Sequence, residues 1–149
     1  MLVLLISACG GSDDDSEAKE VKTAHENTIV IGVAWPNNDD NFVKGARLAT
    51  KEINRNGGVL KKSFQLLIND GEKAALDLSL TAKQSKKITL DVANSLVANP
   101  AVVAVIGHRF SNSAMPAADI YHSHRIVFIA PALTNLSLTE HKSNSVFRM

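Results

Sequence analysis

The feature that most limits how this chain can fold is a set of short segments in which apolar residues follow one another with almost no polar interruption. Each segment is four to six residues long and rich in β-branched or other apolar side chains. Consecutive apolar positions over this length are typical of strands buried on both faces of a parallel sheet. The four predicted strands are Thr28–Val33, Phe64–Ile68, Ala101–Ile106 and Ile126–Ile129.

Segments with helical spacing of apolar residues separate these strands. The first runs from Phe42 to Asn54 and stops before Gly57, because glycine commonly follows the end of a helix. Helical spacing returns over 90–97 and again over 113–122. The alternation of strand and helix predicts an α/β fold, a doubly wound parallel sheet with helices on both faces.

In a sheet of this kind, ligands bind beyond the carboxyl ends of the strands. That rule selects the loops that follow the first, third and fourth predicted strands. They are Ala34–Asn41, His108–Ser113 and Ala130–Asn135. These loops are rich in polar and small residues, as a small-molecule site requires.

The N-terminal residues indicate processing rather than folded structure. Ile6-Ser7-Ala8-Cys9 follows a short apolar run and resembles the bacterial lipobox, in which the cysteine receives lipid. No Lys or Arg precedes Cys9, although a secretory signal normally begins with one. We expect a signal segment over 1–9, a flexible polar tether over 10–27 and a folded lobe over 28–149. The alternative is an apolar N-terminus with a chance cysteine.

Composition argues against several other classes of protein. The formal net charge is only +1 and aromatic residues make up 5% of the chain, which does not favour nucleic acid as a partner. Sequence signatures of nucleotide sites, zinc proteases and serine hydrolases are lacking, so we expect no catalytic residues, no cofactor and no metal. His122 and His124 are predicted to be surface residues, because positions i and i+2 face different sides of a helix.

Four segments of the sequence, in this order, resemble the type 1 periplasmic-binding fold. They are EINRNGGV at 52–59, VVAVIGH at 102–108, SNSAMPAADIY at 111–121 and APALTNLSLT at 130–139. The resemblance is to the leucine/isoleucine/valine-binding branch of ABC-transporter solute receptors and extends over about 28–148. Family members have two lobes, so the resemblance implies that this chain is an N-terminal lobe, truncated before the second lobe.

The resemblance also implies which residues hold the ligand. In that family the N-terminal lobe binds the α-amino and α-carboxylate groups of an amino acid, and the matching positions here are Ser111, Ala132 and Thr134. A carboxylate is stabilised by hydroxyl and N–H donors at a helix N-terminus, and Ser111 lies just before the third predicted helix. Helix capping by Ser111 and a local turn bond from Thr134 are the alternative roles.

Two further residues are candidate ligand contacts, and two segments depart from the family pattern. Trp35 lies in a loop that is shorter than usual in the branched-chain receptors. His108 lies at the end of the third strand and either touches ligand or packs and hydrogen-bonds within its loop, the second role being favoured. The segment Gly71–Lys87 is longer than usual, and we expect it to lie away from the pocket.

The function expected from these observations is that of an extracytoplasmic substrate-binding protein of an ABC uptake system. It would be lipid-anchored to a membrane, exposed in the periplasm or at the cell surface, and would deliver an amino acid, branched-chain or similar, to a permease. The alternative is a sensory or regulatory ligand-binding domain of the same fold. The lipobox favours the transport role, since sensors usually continue into a transmembrane helix or an effector domain.

Overall fold

The computed structural model describes residues 27–140 and 144–149. Five strands form one sheet: β1 (Thr28–Ala34), β2 (Ser63–Asn69), β3 (Val102–Gly107), β4 (Val127–Ala130) and β5 (Val146–Arg148). Their order across the sheet is β2-β1-β3-β4-β5, and every neighbouring pair is parallel. The four predicted strands are confirmed to within one residue at each end.

Helices connect the strands as the alternating pattern predicts. They are α1 (Asn41–Arg55), α2 (Ala82–Val97), α3 (Ser111–Ser123) and the single turn α4 (Ser137–Glu140), and a 3₁₀ helix spans Gly71–Leu76. The carboxylate of Asp40 accepts the backbone N–H of Phe42 at 2.9 Å and so caps the start of α1. Beyond the end of α1, Gly57 has a φ of 91°, a conformation that glycine adopts without a steric cost.

The helices divide between the two faces of the sheet. The larger core contains Ala93 and Leu96 of α2, Ala117 and Tyr121 of α3, and Phe128 of β4. A smaller cluster on the opposite face joins Val43 of α1 to Val33 of β1. The doubly wound α/β fold, with helices on both faces, is therefore confirmed.

Three parts of the described chain differ from the sequence-based expectation. Helix α2 begins at Ala82, well before the apolar spacing that starts at Leu90. The spacing did not reveal this start, because the first turns are mainly exposed and rich in Lys and Gln. Helix α3 begins at Ser111 rather than Ser113. The tail after β4 contains α4 and the additional strand β5, which the sequence indicated only as a short apolar stretch at Val146-Phe147.

Several predictions fall on residues that the structure does not describe. The signal segment 1–9, the lipidated Cys9 and nearly all of the tether 10–27 lie outside the described residues. Among the described helices, none is both long and apolar enough to cross a membrane.

Candidate ligand-binding site

The carboxyl ends of β1, β3 and β4 lie side by side, so the three loops selected from the sequence meet at one edge of the sheet. Ala34, the last residue of β1, pairs with Gly107, the last residue of β3. Ile106 of β3 pairs in turn with Ile129 of β4. The predicted positions Ser111 and Thr134 are far apart in sequence but follow adjacent strands.

Two of these loops are joined by an ion pair across the edge. The guanidinium Nη1 of Arg109 donates to the Oδ2 atom of Asp40 at 3.4 Å, and the side chain of Arg109 is about half exposed. The N–H of Phe42, then the side chain of Trp35 and after it the charge of Arg109, hold the pKa of the Asp40 carboxyl below its ordinary value. This pair brings the β1–α1 loop and the β3–α3 turn together beside the predicted ligand.

Ser111 is the first residue of α3, and its side chain is available for a ligand. The N-cap residue is Phe110, which has no side-chain capping bond. Ser113 instead donates its hydroxyl to the carbonyl of Phe110 at 2.9 Å. Over the described residues, the hydroxyl of Ser111 makes no hydrogen bond. It therefore does not act as a helix cap here, and it lies beside N–H groups that α3 leaves without intrahelical partners.

Ala132 and Thr134 lie in the exposed loop after β4. Leu133 between them is buried, with 3% of its surface exposed, and its carbonyl accepts from the Nη1 atom of Arg148 at 3.4 Å. Burial of Leu133 fixes the backbone on both sides of it. The Thr134 hydroxyl has no hydrogen-bond partner within the part of the chain that the structure describes, so a local turn bond does not occupy it.

Trp35 and His108 are buried beneath the edge rather than open to solvent. The Trp35 ring is 5% exposed and stacks on Phe42 with ring centroids 4.0 Å apart. His108 is fully buried, and its two ring nitrogens contact Glu72 and, at 2.8 Å, the hydroxyl of Tyr121. In this geometry His108 packs and hydrogen-bonds within the fold, which is the role favoured from sequence. Direct contact of Trp35 or His108 with ligand stays a prediction.

The segment Gly71–Lys87, which we expected to lie away from the pocket, contacts one candidate site residue. Glu72, its second residue, contacts the side chain of His108 at the base of the β3–α3 turn. Sequence reasoning missed Glu72 because nothing in its neighbourhood marks it as buried. A cavity of about 940 Å³ lies between this segment and α3, with Leu76, Phe110 and Ser113 among its lining residues. No group of three potential metal-binding side chains occurs within the described ranges.

No protein-family model matches the chain. It is 35% identical over 127 residues to an amino acid binding protein of Pseudomonas aeruginosa. The alignment covers 81% of this chain and 31% of that protein. It is also 35% identical over 133 residues to a Leu/Ile/Val-binding protein of Citrobacter freundii, covering 88% of this chain and 32% of that protein. The chain thus spans about a third of the length of the curated relatives it matches.

Solved structures of transporter substrate-binding proteins also match the chain. An ABC transporter substrate-binding protein of Desulfitobacterium hafniense, in complex with Leu, matches with a TM-score of 0.68 and 38% identity over 81% of this chain and 33% of that chain. A branched-chain amino acid transporter substrate-binding protein of Streptococcus pneumoniae, in complex with isoleucine, matches with a TM-score of 0.63 and 25% identity over the same shares of the two chains.

The parallel sheet, its edge loops and these matches define one lobe of a type 1 periplasmic-binding fold. Within that class, the chain's relatives are amino acid binding and Leu/Ile/Val-binding proteins, and its structural neighbours are branched-chain amino acid substrate-binding proteins of ABC transporters. Its relatives are binding proteins rather than enzymes.

Proposed function

We propose that this chain is the N-terminal lobe of an amino-acid-binding protein that supplies an ABC permease. The observation that carries the proposal is the free hydroxyl of Ser111 at the first position of α3, together with the equally free hydroxyl of Thr134 on the loop that follows the adjacent strand. Two solved relatives with this fold were determined with Leu and isoleucine bound. Lipidation at Cys9, and an extracytoplasmic location, are part of the same proposal.

The polar head of an amino acid suits the chemistry of this edge. A ligand carboxylate would accept from the Ser111 hydroxyl and from the N–H groups of the first turn of α3, where the helix dipole stabilises negative charge. A ligand ammonium would donate to the Ala132 carbonyl and the Thr134 hydroxyl. Trp35 would support the loop from below by packing on Phe42.

Calorimetric titration of the complete protein with the standard amino acids, one at a time, tests this function. Ser111→Ala and Thr134→Val should each weaken binding by roughly ten- to a hundred-fold, because each removes a hydrogen bond to a charged group. Both replacements are nearly isosteric, so the fold should remain.

Ser123→Ala is the matched control. Ser123 is the last residue of α3, roughly 18 Å along the helix from Ser111, and its hydroxyl donates to the carbonyl of Ile120. This variant should bind as the wild type does. Unchanged affinity in both Ser111→Ala and Thr134→Val would place the pocket elsewhere.

A further inference from the structure

Three polar side chains meet in the core directly beneath the proposed ligand site. Glu72 comes from the 3₁₀ helix after β2, His108 from the β3–α3 turn and Tyr121 from the last turn of α3. Their exposed fractions are 2%, 0% and 0%. We call these three residues the buried triad.

The buried triad is a chain of hydrogen bonds centred on the imidazole. Nδ1 of His108 contacts Oε1 of Glu72, and Nε2 lies 2.8 Å from the Tyr121 hydroxyl. Every donor has an acceptor when Tyr121 donates to Nε2 and the Nδ1–H of His108 donates to Glu72. Burial, and then the adjacent Glu72 carboxylate, raise the pKa of Tyr121 well above its ordinary value of 10.0, which keeps the phenol a donor.

Packing around the imidazole leaves it little freedom to move. Its ring centroid lies 5.7 Å from that of Phe128 in an edge-on arrangement, and the rings of Tyr121 and Phe128 are 5.0 Å apart. Burying three polar groups in such a core is unfavourable unless they bond one another. The other oxygen of Glu72, Oε2, is buried without a partner in the described part of the chain. This cost suggests a role beyond filling the core.

The triad affects the proposed ligand site through the backbone of His108. Its φ is 37°, in the left-handed region that non-glycine residues seldom adopt, and it follows Gly107 at φ 136°. Strained conformations of this kind persist only when the surroundings over-determine them. The imidazole held at both nitrogens, and the bond from the His108 N–H to the Ala34 carbonyl at 3.0 Å, provide that constraint. Ser111 lies three residues further along.

From this geometry we infer that Glu72, His108 and Tyr121 are positioning residues, which fix the β3–α3 turn so that the Ser111 hydroxyl points at the ligand. The inference rests on the proposed function, since it concerns affinity at that site. In this role the three residues act through the turn, since all of them are buried beneath it. The long segment Gly71–Lys87 is thereby part of the binding apparatus through Glu72.

The test uses the complete protein, titrated with L-leucine and then with each other standard amino acid. Tyr121→Phe keeps the ring and its packing but removes the hydroxyl, and Glu72→Gln keeps the size of the side chain. Each should weaken binding by about three- to ten-fold, the affinity equivalent of one neutral hydrogen bond. The measurement is made well below the melting temperature of each variant, so that loss of folded protein does not contribute.

A double-mutant cycle separates positioning from a general effect on stability. In the Ser111→Ala background, Tyr121→Phe should change affinity by less than about two-fold, because the group that the triad positions is gone. Leu96→Val is the packing control: Leu96 is buried in the same core on α2 and makes no hydrogen bond or ring contact with the triad. It should lower the melting temperature and leave affinity at the wild-type value.

The outcomes distinguish this inference from the proposed function. If the wild type binds, Ser111→Ala weakens binding, and Tyr121→Phe and Glu72→Gln do not, the positioning role is wrong and the function stands. Additive effects of Tyr121→Phe and Ser111→Ala would also overturn it. If no amino acid binds the wild type, the proposed function fails and the inference fails with it.

Discussion

Gly107 occupies a position where only glycine fits, and this single residue allows β3 to meet β1 at the ligand edge. Its φ is 136°, and a Cβ atom there would collide with the carbonyl oxygen of Ala34. Gly107→Ala should therefore destabilise the fold by at least about 1–3 kcal/mol, the range for a residue forced into a rarely populated conformation. Urea unfolding followed by circular dichroism measures the loss.

Gly45→Ala provides the comparison for that experiment. Gly45 lies inside α1 with open space around its Cα, so alanine there should stabilise by about 0.5–1 kcal/mol through its higher helix propensity. Equal stability of Gly107→Ala and wild type would contradict the close approach of β1 and β3.

Asp40 makes stability depend on pH at the same edge. Its pKa is lowered from the ordinary 3.8 mainly by the Phe42 N–H, so its contribution is complete above the unfolded value and is lost as pH falls through the folded value. Asp40→Asn retains a capping oxygen but removes the charge, so it should reduce the fall in melting temperature below about pH 4. Asp39→Asn, an exposed neighbour, is the control, and equal acid profiles for the two variants would contradict this role.

At this scale, sequence reasoning identified the hydroxyls that remain free but not the groups beneath them. Ser111 and Thr134 were identifiable because their family motifs and the edge of the sheet agree. Glu72 gave no signal, because a glutamate that follows a turn is normally solvated and only the tertiary fold brings it to His108.

Helix α2 shows how a cap can define an element that hydrophobic spacing does not. The Thr81 hydroxyl accepts the N–H of Gln84 at 3.3 Å, and the Gln84 side chain accepts the N–H of Thr81 at 2.9 Å. This reciprocal capping box stabilises the polar first turns. Because the pattern T-x-x-Q is visible in the sequence, the true start of α2 could have been found from it.

Removal of that cap should have a measurable cost. Thr81→Ala leaves N–H groups at the start of α2 unsatisfied and should destabilise by ~1 kcal/mol, equivalent to about 2–4 °C in melting temperature. Thr50→Ala is matched in chemistry, but Thr50 lies inside α1 and bonds the Ala46 carbonyl. Since alanine is the better helix former, that variant should be neutral or slightly stabilised, and a larger loss than in Thr81→Ala would contradict the capping role.

For the whole molecule, the alternation of strand and helix was sufficient to predict a doubly wound parallel sheet, but it predicted neither the order nor the exact number of the strands. Strand β5 has only three residues, so it carries too little pattern to separate from a loop. It joins the sheet because β4 offers an unpaired edge, with Phe128 pairing to Val146. Such pairing depends on tertiary contacts that local sequence does not encode.

Helices cover only part of one face of the sheet. Register and side-chain alternation place Ile106, Val127, Ile129 and Phe147 on the same face as Val33. Helix α1 packs on that face only at β1 and β2. Within the described ranges no helix covers the rest, and Val127 and Phe147 are 37% and 51% exposed. Parallel sheets are normally covered on both faces, because their strands are apolar throughout.

An apolar surface of this kind favours association, so residues 27–149 in isolation should form oligomers whose size increases with concentration. Replacing Val127 and Phe147 together by threonine keeps strand propensity and reduces the exposed apolar area, so the double variant should shift toward monomer in sedimentation velocity. Leu78→Thr tests whether replacing any exposed apolar residue reduces association, because Leu78 is fully exposed but lies in a loop. It should leave association unchanged. A monomeric wild-type fragment at all concentrations would show that the exposed face does not drive association, and an equal effect of Leu78→Thr would show that the face is not special.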